Sequence, residues 1–275
     1  MNPSHVREPV VAGLFFPREE RVLRDEIHAL IERCGQPEVP GMVMGLISPH
    51  AGYRYSGLTA AHGYSLLQGK HYESVIIVAP SHNEFFDGIS VFAGDAYRTP
   101  FGVVPVHGDL KRELAASGSC VTLDFHGHGT EHAIEVQLPF LQEVLDHLTI
   151  VPIVIGNQSK EICIELGRVL AKVTEGKQVL LMASTDLSHY HARAEAERLD
   201  RVFIDDVAAF DYARLLEDLA DGRTEACGGG PVASVLCALH LNGAERVEIL
   251  DYRTSGDVTG DDHPVVGYLS AAVLA

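Results

Sequence analysis

The chain alternates short, continuously apolar runs with stretches in which apolar residues recur at helical spacing. The runs typical of buried strands are residues 42–47, 74–79, 150–155 and 179–183. The stretches with helical spacing include residues 19–33, 56–67 and 160–174. Strands that are apolar on both faces and alternate with helices indicate a largely parallel sheet covered on both sides. We therefore predict an α/β fold, a layered sandwich with a central, mostly parallel sheet flanked by helices.

The same alternation continues to the end of the chain. We expect a helix from residue 131 to about residue 147 and another over 232–241. Two final strands, 246–253 and 265–274, can add antiparallel edges to the sheet. Because no stretch resembles an interdomain linker and no repeat is visible, we predict a single domain over residues 1–275.

Composition narrows the classes of partner. The formal net charge of −17 argues against a nucleic-acid backbone or an anionic membrane surface as a partner. The longest apolar runs are far too short to span a bilayer, and no leader of basic, apolar and small residues is visible. The five cysteines are scattered and lack CxxC spacing, which argues against a disulfide framework or a zinc finger. We expect a cytoplasmic protein that binds neither nucleic acid nor membrane.

Two histidines occupy the same place relative to two predicted strands. Run 42–47 stops at Ser48 and Pro49, and His50 follows; run 74–79 stops at Pro80, and His82 follows Ser81. In open α/β sheets, sites collect at the carboxyl ends of the strands. Either histidine alone would be read as a hydrogen-bonded structural residue, but the repeat makes a shared site an equal alternative.

Two further junctions between strand and helix carry candidate chemistry, the Asp186/His189 pair and Cys227. Imidazoles together with a thiolate suit iron, copper or zinc rather than magnesium or calcium. Cys227 precedes three glycines and Pro231 at a predicted helix start, where the backbone N–H groups and the helix dipole should favour the thiolate. The simpler alternative is a small buried residue beside a glycine-rich turn.

Asp186, His189 and His132 are the candidate catalytic residues. A carboxylate three residues from an imidazole can orient it or tune its proton affinity, although Asp186 is also a good helix cap. His132 lies between Glu131 and Glu135, which we place in the first turns of one predicted helix. Carboxylates there also suit the helix dipole without any function.

Seven segments, in order along nearly the whole chain, resemble the Memo-like family, also called AmmeMemoRadiSam system protein B. They are SPHAGYRYSG at 48–57, PSHN at 80–83, YRTP at 97–100, EHAIE at 131–135, STDLSH at 184–189, CG at 227–228 and VVGY at 265–268. The resemblance implies a fold like that of class III extradiol dioxygenases of the LigB type. It also implies a metal site of His50, His82 and Cys227, with Asp186 and His189 lining the same pocket.

The resemblance implies iron (Fe²⁺) or copper (Cu⁺) as the cofactor, with zinc as a third candidate, and a redox-linked role. Prokaryotic relatives are named for their co-occurrence with an Amme-type protein and a radical-SAM protein, which makes those proteins expected partners. Eukaryotic relatives are described as adaptor-like effectors of receptor signalling and cell motility. The related dioxygenases use two histidines and a carboxylate, whereas Cys227 takes the place of the carboxylate here.

Three functions follow as hypotheses. The first is a cytoplasmic metal-binding protein with a redox or oxidative role, acting with a radical-SAM partner system. The second is a non-haem iron extradiol-type dioxygenase acting on a small aromatic substrate. The third is a catalytically inactive module whose former active-site cleft binds a peptide or a partner protein.

Overall fold

The computed structural model describes residues 5–35 and 39–275. Its strands are β1 (Val6–Arg7), β2 (Val43–Ser48), β3 (Ser74–Pro80), β4 (Ile89–Phe92), β5 (Ala96–Thr99), β6 (Gly102–Pro105), β7 (Val121–Asp124), β8 (Ile150–Ile155), β9 (Val179–Ser184), β10 (His189–His191), β11 (Arg246–Thr254) and β12 (Val265–Leu274). Its α-helices are α1 (Glu20–Cys34), α2 (Tyr53–Ser65), α3 (Gly108–Ala115), α4 (Leu138–Val144), α5 (Lys160–Thr174), α6 (Arg193–Ala208), α7 (Tyr212–Ala220), α8 (Gly229–Leu241) and α9 (Gly256–Thr259). A short 3-10 helix at Glu135–Gln137 precedes α4.

A large mixed sheet in the order β10-β12-β2-β9-β3-β8-β4-β7 runs through the molecule, and β11 pairs with β12. The four central strands, β2, β9, β3 and β8, are parallel to their neighbours within that group. Antiparallel pairing flanks them, because β12 is antiparallel to β2 and β4 is antiparallel to β8. The strands β1, β5 and β6 form a second, small sheet. This arrangement confirms the predicted α/β class with a parallel centre and antiparallel additions.

The central strands are buried on both faces, as their continuous apolar runs predict. In β3, Ile76 and Val78 point into a core shared with α5 and α8, whereas Val75 and Ile77 point into a core shared with α1, α2 and α4. Each such side chain contributes about 1.5–3 kcal/mol when it is fully buried. Both faces therefore hold the sheet rigidly, which fixes the positions of the loops at its carboxyl edge.

The predicted helix over 131–147 is wrong in its first turn. Residues 131–134 are not helical, and α4 begins only at Leu138, with Pro139 in its first turn. The Glu131 carboxylate instead accepts the backbone N–H groups of His132 and Ala133, at 2.8 and 2.9 Å. Glu131 and Glu135 therefore do not share the first turns of one helix, and His132 is presented from a loop.

No helix among the residues that the structure describes is long and apolar enough to cross a membrane.

Candidate metal centre

Three adjacent parallel strands, β2, β9 and β3, carry polar residues to one edge of the sheet. His50 follows β2 after Pro49, Asp186 follows β9, and His82 follows β3. The order of the strands places Ser184, the last residue of β9, between the two turns that bear the histidines. Prolines in the turns after β2 and at the end of β3 favour extended backbone and stop each strand at this edge.

The structure brings a third histidine to these two. One ring nitrogen from each of His50, His82 and His132 lies within 4.8 Å of the others. The ring centroids of His50 and His82 are 5.1 Å apart, those of His50 and His132 are 5.3 Å apart, and those of His82 and His132 are 4.8 Å apart. His132, a predicted catalytic residue, thus lies in a group of side chains that could hold a metal ion.

Cys227 lies directly beside this cluster. Its Sγ is 3.2 Å from Nε2 of His50 and accepts the backbone N–H of Asp186 at 3.3 Å. In the described part of the chain, the group of ligand atoms that all lie within 4.8 Å of one another comprises the three histidines. Cys227, predicted as the third ligand, is therefore a neighbour of His50 at the margin of the cluster.

Cys227 is a thiol in the metal-free chain. Burial raises the pKa of this thiol well above its ordinary value, and the negative charge of Asp186 raises it further. The prediction that the helix start would favour the thiolate is wrong for this state, because burial and the charge of Asp186 outweigh the hydrogen bonds that favour the thiolate. A coordinated metal ion reverses this balance, since a coordinating thiol is deprotonated.

His82 is held by a buried carboxylate. Its Nδ1 lies 3.0 Å from Oε1 of Glu131, and its backbone N–H donates to Oε2 at 2.7 Å. Burial would raise the pKa of Glu131, but hydrogen bonding to His82 and the charge of His82 outweigh this effect and lower it from 4.5 to about 2. A carboxylate that receives the second nitrogen of a metal-binding histidine orients the ring and increases its basicity.

Glu131 is itself held by the N-terminal strand. The Arg7 guanidinium donates to the backbone carbonyl of Glu131 and, at 2.6 Å, to the carboxylate of Glu135. Arg7 is 6 % exposed and Glu135 is 0 % exposed, so that this ion pair is fully inside the protein. The small sheet of β1, β5 and β6 is thereby tied to the loop that carries His132.

The ring of His50 has a neutral hydrogen-bond partner, a serine hydroxyl. Its Nδ1 lies 2.9 Å from Oγ of Ser184, and its backbone N–H donates to Oδ1 of Asp186 at 2.8 Å. Burial lowers the pKa of His50 well below 6.5, and the neighbouring imidazoles of His82 and His132 lower it further.

The pKa values of the other two imidazoles, His132 and His82, are shifted in opposite directions. Burial lowers the pKa of His132, although the charge of Glu131 partly opposes this effect. Burial would also lower the pKa of His82, but hydrogen bonding to Glu131 and the Glu131 charge raise it above 6.5. His50 and His132 are therefore neutral at pH 7 and ready to bind a metal through a lone pair.

Asp186 orients the turn of His50, and among the described residues no hydrogen bond joins its carboxylate to the ring of His189. Burial raises the pKa of Asp186 to about 7, although hydrogen bonds from the backbone of His50 and Ala51 oppose the rise. Burial lowers the pKa of His189. The Asp186 carboxylate accepts the backbone N–H of His50, and its predicted action on His189 stays a prediction.

A cavity of about 590 Å³ opens beside Cys227 on the face of the sheet that is covered by α5, α7 and α8. Its apolar lining includes Leu187, Leu216, Leu219, Ala220 and Ala226. His189 also lines this cavity, together with the Lys160–Glu217 ion pair, whose atoms are 3.0 Å apart. The structure thus joins His189 to Cys227 through a space of the size that small ligands occupy.

Sequence reasoning missed the residues that support the histidines. The sequence pattern predicts Glu131 in the first turns of a helix and marks no role for Ser184, Gln137 or Arg7. The spacing of Glu131 and His132 gave a signal, since a carboxylate next to a candidate histidine is a common partner of a metal ligand. Nothing comparable in the sequence marks Ser184, whose partner His50 is 134 positions away.

Comparison with known proteins adds the family context. The model of the Memo-like protein family matches residues 7–272. A MEMO1 family protein of Thermotoga maritima is 39% identical over 279 residues, covering 98% of this chain and 99% of the relative. A MEMO1 family protein of Nitrosopumilus maritimus is 34% identical over 268 residues, covering 96% and 98%.

A similar fold is found in the crystal structure of an uncharacterised protein of Escherichia coli K12. The two chains superpose with a TM-score of 0.51 at 17% identity, covering 84% of this chain and all of the other. At this identity the likeness concerns the fold.

Proposed function

The chain belongs to the Memo-like protein family, and we propose that it is a metal-binding protein whose centre is built on His50, His82 and His132. The observation that carries this proposal is the convergence of the three ring nitrogens within 4.8 Å of one another. Cys227 would complete the donor set, since its sulfur already touches Nε2 of His50.

The donor set supports a first-row transition metal. Neutral imidazoles and a thiol suit iron, copper or zinc, whereas magnesium and calcium require oxygen ligands. The second nitrogen of His82 is bonded to a carboxylate, which is the arrangement usual around metal-binding histidines. We propose Fe²⁺ or Cu⁺, with zinc as the redox-inactive alternative.

Such a metal would supply one-electron redox chemistry, and the surrounding residues would control protons and access. The carboxyl group of Asp186, with a pKa of about 7, can hold or release a proton near neutral pH at the turn of His50. Glu131 would fix the ring of His82. His189 would face a ligand in the adjoining cavity.

A second candidate function is the oxidation of a small, largely apolar organic substrate. The cavity of about 590 Å³ beside Cys227 favours it, because its size and mostly apolar walls match those of small-molecule sites. The family resemblance alone supports a cytoplasmic role with Amme-type and radical-SAM partners, and copurification from cells is its test.

The metal proposal is tested by metal content after anaerobic purification. We expect about one iron or copper per chain in the wild type, and its loss in His50→Ala, His82→Ala and His132→Ala. Cys227→Ala should retain a weakened site. His28→Ala is the matched control, because His28 lies on the surface of α1 and is 60% exposed.

A wild-type chain that cannot be loaded with Fe²⁺, Cu⁺ or Zn²⁺ would overturn the metal proposal. The cleft would then be studied as a binding surface for a peptide or a partner protein. Full metal content in His132→Ala would exclude His132 as a ligand and return the site to His50, His82 and Cys227.

A further inference from the structure

A chain of hydrogen bonds behind His50 ends on both sides at a backbone carbonyl, that of Pro49 and that of Ala133. A carbonyl can accept a hydrogen bond but cannot donate one. At one end, the side-chain nitrogen Nε2 of Gln137 lies 3.0 Å from the backbone carbonyl of Pro49. A carbonyl oxygen cannot donate, so the amide group of Gln137 must present its nitrogen there. The opposite orientation would also turn the amide oxygen away from the hydroxyl of Tyr64, which donates to it.

The next member of the chain is the hydroxyl of Ser184. Nε2 of Gln137 also donates to Oγ of Ser184, at 2.7 Å. The Ser184 hydroxyl then donates to the backbone carbonyl of Ala133 at 2.8 Å. Ser184 and Ala133 are both fully buried, so that no solvent competes for these bonds. The single proton of the Ser184 hydroxyl is therefore donated to the backbone carbonyl of Ala133.

Only an acceptor lone pair of Ser184 remains for His50. Nδ1 of His50 lies 2.9 Å from that oxygen, and a hydroxyl oxygen with its proton already donated can only accept there. Nδ1 must then carry the proton of the neutral ring. The lone pair is left on Nε2, which faces Cys227 at 3.2 Å.

We propose that Ser184 and Gln137 are positioning residues that hold His50 in the tautomer with its proton on Nδ1, so that Nε2 is free to bind a metal. The ligand would be a transition-metal ion that prefers neutral imidazole. The part of this proposal that concerns metal affinity rests on the proposed function, whereas the part that concerns the tautomer does not.

The tautomer is read directly by nitrogen-15 NMR of histidine-labelled, metal-free protein at about pH 8, where neutral imidazole prevails. We expect His50 to show a protonated Nδ1 and an unprotonated Nε2 in the wild type. In Ser184→Ala the acceptor is lost, and a population with the proton on Nε2 should appear. Ser184→Thr keeps the hydroxyl and should restore the wild-type tautomer.

Ser74→Ala is the matched control, because Ser74 is a buried serine at the far end of β3 that donates to the carbonyl of Thr149. It should leave the signals of His50 unchanged. Gln137→Met removes the amide that directs the hydroxyl and should give a smaller population of the second tautomer. This variant keeps the test decisive if Ser184→Ala does not fold.

Metal affinity is measured separately, by anaerobic titration with Zn²⁺ against a chelator. We expect Ser184→Ala to bind about 10-fold more weakly than the wild type and Ser74→Ala to bind equally well. A wild-type His50 with its proton on Nε2 would overturn the proposal, as would an unchanged tautomer in both Ser184→Ala and Gln137→Met. A correct tautomer in a chain that binds no metal would refute the proposed function and leave the positioning role standing.

Discussion

His50 and His82 follow the same sequence pattern at the ends of two parallel strands, yet their surroundings differ in kind. His50 is 2% exposed and its ring is hydrogen-bonded to the hydroxyl of Ser184, whereas His82 is 28% exposed and its ring is hydrogen-bonded to the carboxylate of Glu131. The pKa of His50 is lowered, chiefly by burial, and that of His82 is raised by Glu131 against the effect of burial. The ring of His50 thus has a neutral hydroxyl as its partner and the ring of His82 a charged carboxylate, and we call these two parts of the centre the neutral half and the charged half.

The position of each histidine ring and its proton affinity therefore have separate origins. The strand ends place both rings at one edge of the sheet. Their proton affinities depend on residues from distant parts of the chain, since Glu131 lies 49 positions from His82 and Ser184 lies 134 positions from His50. A centre with one neutral and one carboxylate-supported imidazole combines a weak and a strong electron donor.

The largest expected effect comes from breaking the support of the charged half. Arg7→Ala leaves the carboxylate of Glu135 buried without its partner, and we expect it to lower the free energy of unfolding by about 3–5 kcal/mol. Urea denaturation of the metal-free protein measures this loss.

Arg98→Ala is the control for that change, because Arg98 pairs with Glu8 at the exposed side of the same small sheet. Arg98→Ala should lower the free energy of unfolding by less than about 1 kcal/mol. Equal losses in the two variants would show that the buried pair does not support the charged half.

Glu131→Gln tests whether the charge of Glu131 increases the affinity of the centre for a metal ion. The amide keeps the shape of the side chain but removes the negative charge, and we expect metal affinity to fall about 100-fold, the upper end of the range for such partners. This loss should exceed that of Ser184→Ala, because hydrogen bonds to charged groups are stronger than those to neutral ones.

Anaerobic competition titration against a chelator measures both affinities. Glu143→Gln is the control, since Glu143 bonds His28 at 2.9 Å in a His–Glu pair on α1 and α4, outside the histidine cluster. A loss in Glu131→Gln no greater than that in Ser184→Ala would remove the distinction between the two halves.

The smallest expected effect concerns two buried carboxyl groups, Asp206 and Glu131, and compares the influence of burial on the pKa with that of hydrogen bonding. Asp206 is buried beside Asp218, and burial, followed by the charge of Asp218, raises the pKa of Asp206 from 3.8 to about 6. Glu131 is also buried but has several donors, and its pKa is lowered. A carboxyl whose pKa is raised by folding destabilises the fold once it ionises, so stability should fall as pH rises between about 4 and about 6.

Asp206→Asn should remove this decline and raise the free energy of unfolding by about 1 kcal/mol at neutral pH, because loss of the ion pair with Arg214 offsets part of the roughly 3 kcal/mol that the pKa shift implies. Urea denaturation at a series of pH values measures it, with the exposed neighbour variant Asp205→Asn as the control. A variant that is less stable than the wild type at pH 7 would show that the ion pair with Arg214 outweighs the cost of burial.

Local pattern was enough to predict most of the scaffold. Helix α5 has the predicted bounds, and β3 and β9 are the predicted apolar runs, because burial on both faces leaves a clear pattern in the sequence. The positions of His50 and His82 at the strand ends followed from the same pattern. The role of His132 did not, because the carboxylate of Glu131 binds the local backbone and prevents the helix that spacing alone predicts.

We propose a centre with three histidines beside Cys227, in place of two histidines and a cysteine. X-ray absorption spectroscopy of the metal-loaded protein counts imidazole and sulfur ligands directly. We predict three imidazoles and one sulfur in the wild type, and two imidazoles in His132→Ala. Two imidazoles and one sulfur in the wild type, unchanged in His132→Ala, would show that His132 is not a ligand.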